Sequence, residues 1–207
     1  MTAEAVPLTR PAIPVNGLVL SGGASIRMGQ DKALLEQAGT PQLSATFQLL
    51  ARHVHACLIS LRKEQADEPL RAGFPALIDV HEDIGPAAGL LAAHRAHPAT
   101  AWLVLACDLP LLDDATLAAL VEARDGQHVA VAYRSAYDDL PEPLCALWEP
   151  AALERLEAQV RAGRHGLREV LRSADVRLLP APANGALDNI NTPEERERLL
   201  RGRGWDQ

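Results

Sequence analysis

The sequence predicts an α/β fold, a three-layer α/β/α sandwich with a Rossmann-like, mostly parallel sheet. Short apolar runs alternate with amphipathic stretches along most of the 207 residues. The runs are almost continuously hydrophobic, as parallel strands are when helices cover both faces of a sheet. Hydrophobic residues make up 48% of the chain, which is enough apolar material for a buried core.

The N-terminal segment is expected to lie outside that sandwich. Residues 1–16 contain three prolines and no apolar signal-peptide core, so we expect a flexible tail followed by a single domain over 17–207. Apolar runs then predict strands, and amphipathic stretches predict the helices that connect them. The predicted strands are 17–21, 56–60, 75–79 and 101–107, and the predicted helices are 43–54, a stretch around 64–73, 85–98 and 113–126.

From about residue 128 the alternation is less regular. The sequence predicts strands at 128–134 and 143–149 and helices at 151–163, 166–173 and 192–202. Two helices carry recognisable start signals. Asp113 would cap the helix that Gly126 ends, and Thr192 with Pro193 would open the last helix.

Composition and charge exclude several classes of ligand. The net charge of −7 repels nucleic acids and anionic membranes, and 3% aromatic residues leave little for stacking on bases. The sequence has no run of about 18 apolar residues to span a bilayer. Cys57, Cys107 and Cys145 are widely spaced and form no CxxC pair. This spacing argues against a disulfide framework or a zinc site and favours a reducing, cytoplasmic location.

Polar residues stand at the carboxyl ends of the first four predicted strands. Ser21-Gly22-Gly23 ends the first strand, Ser60 the second and Asp79 the third, and Asp108 follows the fourth. Open α/β sheets bind ligands at these ends. We therefore expect a site that is assembled from strand tips far apart in sequence.

The stretch LSGGASIRMGQDK (20–32) concentrates glycine and positive charge after the first strand. Glycine lets backbone N–H groups approach a ligand closely, while Arg27 and Lys32 add a planar guanidinium and a compact ammonium. This equipment suits a triphosphate, although the stretch has neither the G-K-[ST] ending of a P-loop nor a GxGxxG pattern. An ordinary turn with solvated cations is the alternative interpretation.

The longer string LVLSGGASIRMGQDKALLE resembles the signature of the molybdenum cofactor guanylyltransferases, within the nucleotidyltransferase superfamily. The family pattern L-x-G-G-x-S-x-R-M-G-x-D-K is matched from Leu20 to Lys32. Further similar segments follow in the expected order at 85–93, 103–112, 140–150 and 189–195. The resemblance covers nearly everything after the tail and implies a fold of the nucleotide-diphospho-sugar-transferase type.

The resemblance also implies a reaction, the transfer of GMP from GTP to the phosphate of molybdopterin with release of pyrophosphate. GTP and molybdopterin would be the small-molecule partners, and proteins that deliver or accept the cofactor would be further ones. Asp108 would hold Mg²⁺, the implied cofactor, although an aspartate after a strand also serves as a helix cap. The implied catalytic residues are Arg27, Lys32 and Asp108, and the implied nucleotide-binding residues are Leu20, Ser21, Gly22, Gly23, Lys32, Ser60, Asp79 and Asp108.

Ser60 and Asp79 match the family pattern less clearly than the other positions. Ser60 stands where family members often have asparagine, and a serine there can still donate and accept a hydrogen bond. Asp79 matches a family aspartate that would accept hydrogen bonds from guanine or from a ribose hydroxyl, with Asp83 as a competing match.

For the second substrate, the resemblance implies contacts with Gly85, Gly89, Glu142, Asn189 and Asn191. The glycines flank a predicted helix start whose amides would face an anion. Tight helix–sheet packing is the alternative for them. Asn189 and Asn191 would lie on one side of an extended strand.

Other functions remain open on these residues. Cytidylyltransferases of the same cofactor pathway typically have L-A-A-G where this chain has L-S-G-G, so Gly22 favours GTP. Sugar-phosphate nucleotidyltransferases share the loop chemistry, but several are longer. A carrier that binds GTP or cofactor without catalysis is the alternative from a different class.

Overall fold

The computed structural model describes residues 14–22, 31–37, 39–79, 81 and 83–188. Within them a seven-stranded sheet carries helices on both faces, and two short strands pair separately. The strands are β1 (Val15–Leu20), β2 (Glu36–Gln37), β3 (Thr40–Pro41), β4 (Cys57–Leu61), β5 (Ala76–Ile78), β6 (Ala101–Ala106), β7 (Ala130–Arg134), β8 (Pro141–Trp148) and β9 (Val176–Leu179). The α-helices are α1 (Gln42–Ala51), α2 (Ala87–Ala96), α3 (Asp114–Glu122), α4 (Pro150–Arg161) and α5 (Leu167–Arg172).

The strand order of the large sheet is β5-β4-β1-β6-β8-β7-β9. Strands β5, β4, β1 and β6 run parallel to one another, as do β7 and β9, while β8 is antiparallel to both of its neighbours. Every strand of this sheet except β8 therefore ends at the same side, which we call the carboxyl end of the sheet. Because β8 is reversed, its first residues reach that end too.

Each face of the sheet buries its own apolar layer. Helices α2, α4 and α5 pack over one face, where Leu18 of β1 lies in the same cluster as Leu90 of α2 and Leu153 of α4. Helices α1 and α3 cover the other face, where Val19 of β1 lies in the same cluster as Leu43 of α1. The alternation of inward residues along β1 thus divides the core in two. The predicted three-layer α/β/α sandwich with a mostly parallel sheet is confirmed.

Most predicted elements occur within a few residues of their expected bounds. Asp113 caps α3 as predicted, because its Oδ1 accepts a hydrogen bond from the backbone N–H of Thr116 at 2.9 Å. Helix α3 ends at Glu122, and Gly126 follows with φ 70°. The helix predicted over 192–202 lies outside the described residues. Within the described ranges, no helix has the length and apolarity needed to cross a membrane.

The helix predicted around 64–73 is wrong. That stretch forms two short 3₁₀ helices, Lys63–Gln65 and Arg71–Gly73. Pro69 lacks a backbone N–H and disfavours the helical conformation of the residue before it. In addition, the Glu68 carboxylate accepts hydrogen bonds from the N–H groups of Leu70 and Arg71, at 2.9 and 3.1 Å, which offers the backbone an alternative to a helix.

Three strands were not predicted. Strand β9 has the sequence VRLL and interrupts its apolar run with an exposed arginine, which leaves a weak signal in four residues. Strands β2 and β3 have two residues each and pair only with one another. Such short elements depend on tertiary contacts more than on sequence pattern.

Candidate active site at the carboxyl end of the sheet

The tip of β1 is held by its neighbour β4. Ser21 donates two hydrogen bonds to the Ser60 carbonyl, one from its backbone N–H and one from its hydroxyl, both at 2.9 Å. Both serines are buried. Parallel pairing places Leu20 beside Ser60, so the tips of the first two predicted strands meet as expected.

Asp79 at the end of β5 faces the same point. Ser60 Oγ donates a 2.5 Å hydrogen bond to Asp79 Oδ1. The other carboxylate oxygen points at Gly22, since a Cβ at that glycine would lie 3.0 Å from Asp79 Oδ2. Among the described residues, the absence of a side chain at Gly22 therefore leaves space beside the Asp79 carboxylate on that side. Asp83, the competing match, is exposed and has φ 61°.

The environment of Asp79 opposes its ionisation. Burial raises the pKa of this carboxyl above its usual range, and the Ser60 hydrogen bond and the Arg62 charge only partly offset that rise. A carboxylate in such a setting gains from any hydrogen-bond donor that a ligand brings. This combination is typical of a ligand-binding position.

Two arginines donate hydrogen bonds to successive backbone carbonyl groups at the tip of β1. Arg71 Nη2 donates to the Ser21 carbonyl at 2.9 Å, and Arg62 Nε donates to the Gly22 carbonyl at 2.6 Å. Arg71 is 1% exposed and also contacts Asp31 and Glu68. The orientation of the peptide groups at the end of β1 is therefore set by side chains from the β4–β5 connection.

Asp108 follows β6 on the other side of β1. Strands β1 and β6 pair in register from Val15 with Ala101 to Leu20 with Ala106. Asp108 stands two residues beyond the end of β6, as Gly22 stands two residues beyond the end of β1. The predicted metal ligand Asp108 and the predicted nucleotide loop therefore follow the tips of two adjacent strands.

Helix α2 approaches the site through Gly89. A methyl group there would lie 2.7 Å from Leu20 Cδ2 and closer still to Ser60 Oγ. Gly89 thus serves the tight helix–sheet packing that was the alternative interpretation for it. Gly85 precedes the helix with φ 60°, a conformation that glycine adopts without strain, and a Cβ there would meet nothing within 4 Å.

Glu142 near the start of β8 reaches the carboxyl end from the antiparallel side. Arg168 of α5 binds it at 2.8 Å and binds Asp138 of the β7–β8 connection at 2.7 Å. In the same connection, the Tyr137 hydroxyl donates to Asp188 Oδ1 at 3.1 Å. These contacts lie closer to solvent than those around Ser60, because Arg168 is 40% exposed.

The three cysteines are free thiols. Cys145 is buried in the core, and burial raises the pKa of its thiol. Burial likewise raises the pKa of Cys107 to about 12, with the nearby Asp108 and Asp31 carboxylates adding to the effect. Thiols with pKa values in this range stay protonated at neutral pH and are poor nucleophiles.

Several predicted site residues lie outside the described part of the chain. They are Gly23, Arg27, Asn189 and Asn191. For Lys32 the backbone is described, as the first residue of a 3₁₀ helix over Lys32–Leu34. Their implied roles stay predictions.

Sequence reasoning missed Arg62 and Arg71. Arg62 follows β4 directly, so the rule that strand ends carry ligands would have drawn attention to it. Arg71 gave no such signal because it lay within the stretch wrongly predicted as a helix. Its role depends on how the β4–β5 connection folds back over β1.

The donor set at these strand tips consists of carboxylate oxygens. In the described residues, no group of three or more His, Cys, Asp or Glu side chains converges as a preformed metal cage. Mg²⁺ requires no such cage, since it is usually held by one or two carboxylates together with substrate phosphates and water. A strand-tip aspartate such as Asp108, beside a predicted triphosphate loop, fits that ion.

A mostly parallel sheet with a polar site at its strand ends is the arrangement of nucleotide-binding α/β proteins. The structure of molybdopterin-guanine dinucleotide biosynthesis protein A from Archaeoglobus fulgidus shares this fold, with a TM-score of 0.73 and 24% identity over 90% of this chain and 97% of that one. The MobA-like NTP transferase domain matches residues 17–178. The chain belongs to this family and is a nucleotidyltransferase.

Curated relatives agree with the assignment. The molybdenum cofactor guanylyltransferase of Xanthomonas euvesicatoria pv. vesicatoria is 34% identical over 90% of this chain and 95% of its own length. A molybdenum cofactor biosynthesis bifunctional protein of Synechocystis is also 34% identical, over 88% of this chain. The matched region spans about half of that bifunctional protein, 52% of its length.

Proposed function

We propose that this chain transfers GMP from GTP to the phosphate of molybdopterin and releases pyrophosphate. The observation that carries the proposal is the contact geometry at Gly22, where the described residues leave space beside the Asp79 carboxylate at the tip of β1. The relatives that match over nearly their whole length are named molybdenum cofactor guanylyltransferases, which supports the same reaction.

The reaction joins two anions, so the site has to position them and stabilise charge. An oxygen of the molybdopterin phosphate attacks the α-phosphorus of GTP, and the bond from that phosphorus to the α,β-bridging oxygen breaks. Pyrophosphate leaves with the electron pair of the broken bond. Electrostatic stabilisation and orientation supply most of the catalysis in such a transfer, and no covalent nucleophile is needed.

Each residue has a distinct part in this proposal. The amide of Gly22 and the Asp79 carboxylate bind the nucleoside, while Lys32 and Arg27 bind the phosphates. Asp108 holds Mg²⁺, which when bound neutralises phosphate charge. Glu142, and beyond the described residues Asn189 and Asn191, orient the second substrate. The expected cytoplasmic location and protein partners stay predictions.

The decisive experiment is a transfer assay with Mg²⁺, α-labelled GTP and molybdopterin. We expect label in a guanine dinucleotide product and an equal amount of pyrophosphate. Parallel reactions with CTP, ATP and UTP test the base. Preferred use of CTP would favour a cytidylyltransferase, and nucleotide binding without any pyrophosphate release would favour a carrier.

Nucleotide analogues test whether Asp79 binds the guanine base or the ribose. Inosine triphosphate lacks the guanine 2-amino group, and 2′-deoxy-GTP lacks one ribose hydroxyl. If Asp79 binds the base edge, Asp79→Asn should reduce the preference for GTP over inosine triphosphate and leave the preference over 2′-deoxy-GTP unchanged. The reverse pattern would assign Asp79 to the ribose.

A further inference from the structure

The buried Arg71 joins two points that lie ten positions apart in sequence. One nitrogen, Nη2, donates to the Ser21 carbonyl at 2.9 Å and to Asp31 Oδ2 at 2.7 Å. Ser21 precedes the glycine-rich stretch of the predicted triphosphate loop, and Asp31 stands at its end. A single donor group therefore sets the separation between the two ends of that loop.

At the first end, Arg71 orients a backbone amide. The peptide bond between Ser21 and Gly22 is planar, so its C=O and N–H point in opposite directions. Ser21 is also fixed by its two hydrogen bonds to the Ser60 carbonyl. With the Ser21 carbonyl held by Arg71, the N–H of Gly22 has one direction available to it, away from the guanidinium.

At the second end, Arg71 holds the start of the 3₁₀ helix over Lys32–Leu34. Asp31 Oδ1 accepts from the backbone N–H of Ala33 at 3.0 Å, and its carbonyl accepts from Leu34 N–H at 3.0 Å. Asp31 therefore caps this helix while its other carboxylate oxygen binds Arg71. The backbone at Lys32 is thereby tied to the tip of β1.

The guanidinium is a costly means of filling this space. Burying a charge removes it from water, and apolar residues of similar volume often stabilise a core as well or better. Here the charge faces two carboxylates, Asp31 and Glu68, the latter 3.3 Å from Nη1. In coiled coils and some cores, such buried ionic groups select one arrangement among several.

We propose that Arg71 is a positioning residue for the nucleotide, acting through the Gly22 amide at one end and Asp31 with Lys32 at the other. The inference rests on the proposed function only in that the bound ligand is a nucleoside triphosphate. Arg71 itself needs no contact with the ligand.

The test compares Arg71→Met, Arg71→Lys and Asp31→Asn with the wild-type chain. Calorimetric titration gives the Kd for GTP, steady-state kinetics give KM for each substrate, and thermal unfolding gives Tm. We expect Arg71→Met to raise the Kd and KM for GTP about 30-fold, as loss of charged hydrogen bonds would, with KM for molybdopterin unchanged. Arg71→Lys keeps a donor and should restore part of the affinity.

Arg124 supplies the matched control. It is a largely buried arginine that binds Glu149 through Nε and Nη2 at 2.6 and 2.9 Å, at the opposite end of the sheet. Arg124→Met should lower Tm without changing the Kd for GTP. If Arg71→Met behaves in the same way, with Kd within about twofold of wild type, Arg71 is structural only and the inference is wrong.

A double variant tests whether Arg71 and Asp31 act on GTP binding together. The double variant Arg71→Met/Asp31→Asn should bind GTP no more weakly than Arg71→Met alone, whereas additive losses would contradict a shared path. If Arg71→Met fails to fold, Asp31→Asn and Arg71→Lys carry the same comparison. If the wild-type chain prefers another nucleotide, guanylyl transfer fails while the Arg71 series is judged with that nucleotide.

Discussion

The two halves of the sheet hold their polar end residues in different ways. In the parallel half, β5-β4-β1-β6, buried side chains bind backbone carbonyls, as Ser21 binds Ser60 and Arg71 binds Ser21. In the mixed half, β8-β7-β9, exposed or partly buried side chains bind one another, as Arg168 binds Asp138 and Glu142. The first arrangement fixes a backbone shape before any ligand arrives, and the second is solvated and adjustable. In the proposed function, the parallel half would bind the nucleotide and the mixed half would bind the second substrate.

Asp108 stands where the two halves meet, so its replacement should have the largest effect. Asp108→Ala should reduce turnover about a thousandfold, since a metal ion stabilises transition-state charge by several kcal/mol. Tm should change little because a strand-tip carboxylate contributes little core packing. Initial rates at saturating Mg²⁺ and a thermal melt measure the two quantities. Turnover within tenfold of wild type would remove Asp108 from the metal site.

Gly89→Ala tests whether the parallel half is as rigid as its packing indicates. The added methyl would press on Leu20 and Ser60, and overpacking of this kind costs about 1–3 kcal/mol of unfolding free energy. Because Ser60 holds Asp79, the KM for GTP should rise as well. Gly73→Ala is the control, since a Cβ there meets nothing within 4 Å. Equal unfolding free energies for both variants would show that the contact of α2 with Leu20 and Ser60 adjusts to the added methyl without a measurable cost.

Asp79→Asn should separate stability from binding within the parallel half. Burial raises the pKa of Asp79 in the folded state, so the carboxyl favours folding while protonated and opposes it once pH rises through that pKa. The amide removes this penalty and can still accept from Ser60. Tm of the variant should exceed that of wild type by a few degrees at pH 7.5, and the difference should shrink towards pH 4. A lower Tm at pH 7.5 would contradict the assigned cause.

Glu142→Gln should have the smallest effect on stability. The Glu142–Arg168 pair is partly exposed, and ion pairs near the surface contribute about 0–1 kcal/mol, so the unfolding free energy should change by no more than about 1 kcal/mol. KM for molybdopterin should rise severalfold while KM for GTP stays constant. Glu169→Gln, from the exposed pair with Arg164, is the matched control and should change neither. A rise in KM for GTP instead would assign Glu142 to the nucleotide half.

The positions of the main strands along the chain, and the residues at their ends, could be predicted because they depend on local pattern. Nearly continuous apolar runs predicted β1, β4 and β6. Because the carboxyl ends of parallel strands lie at one edge of the sheet, the sequence also predicted that Ser60 and Asp79 lie near Gly22. The hydrogen bond from Arg71 to the Ser21 carbonyl could not be predicted, because it depends on the path of the β4–β5 connection. Pro69 and Glu68 prevent that connection from forming a regular helix. Strand β9 was missed because its four residues alternate too briefly to show a period.

The reversed direction of β8 has a consequence for how such a chain could be re-engineered or diversified. Residues 135–140 connect β7 to β8 along the chain and turn at the carboxyl end of the sheet, beside Glu142. An insertion there leaves the register of the parallel strands untouched, and doubling a loop's length costs only about 0.6 kcal/mol in closure entropy. In the proposed function, grafting a new loop at this hairpin would change the preference for the acceptor, and the choice of nucleotide would still depend on the buried contacts at the tip of β1.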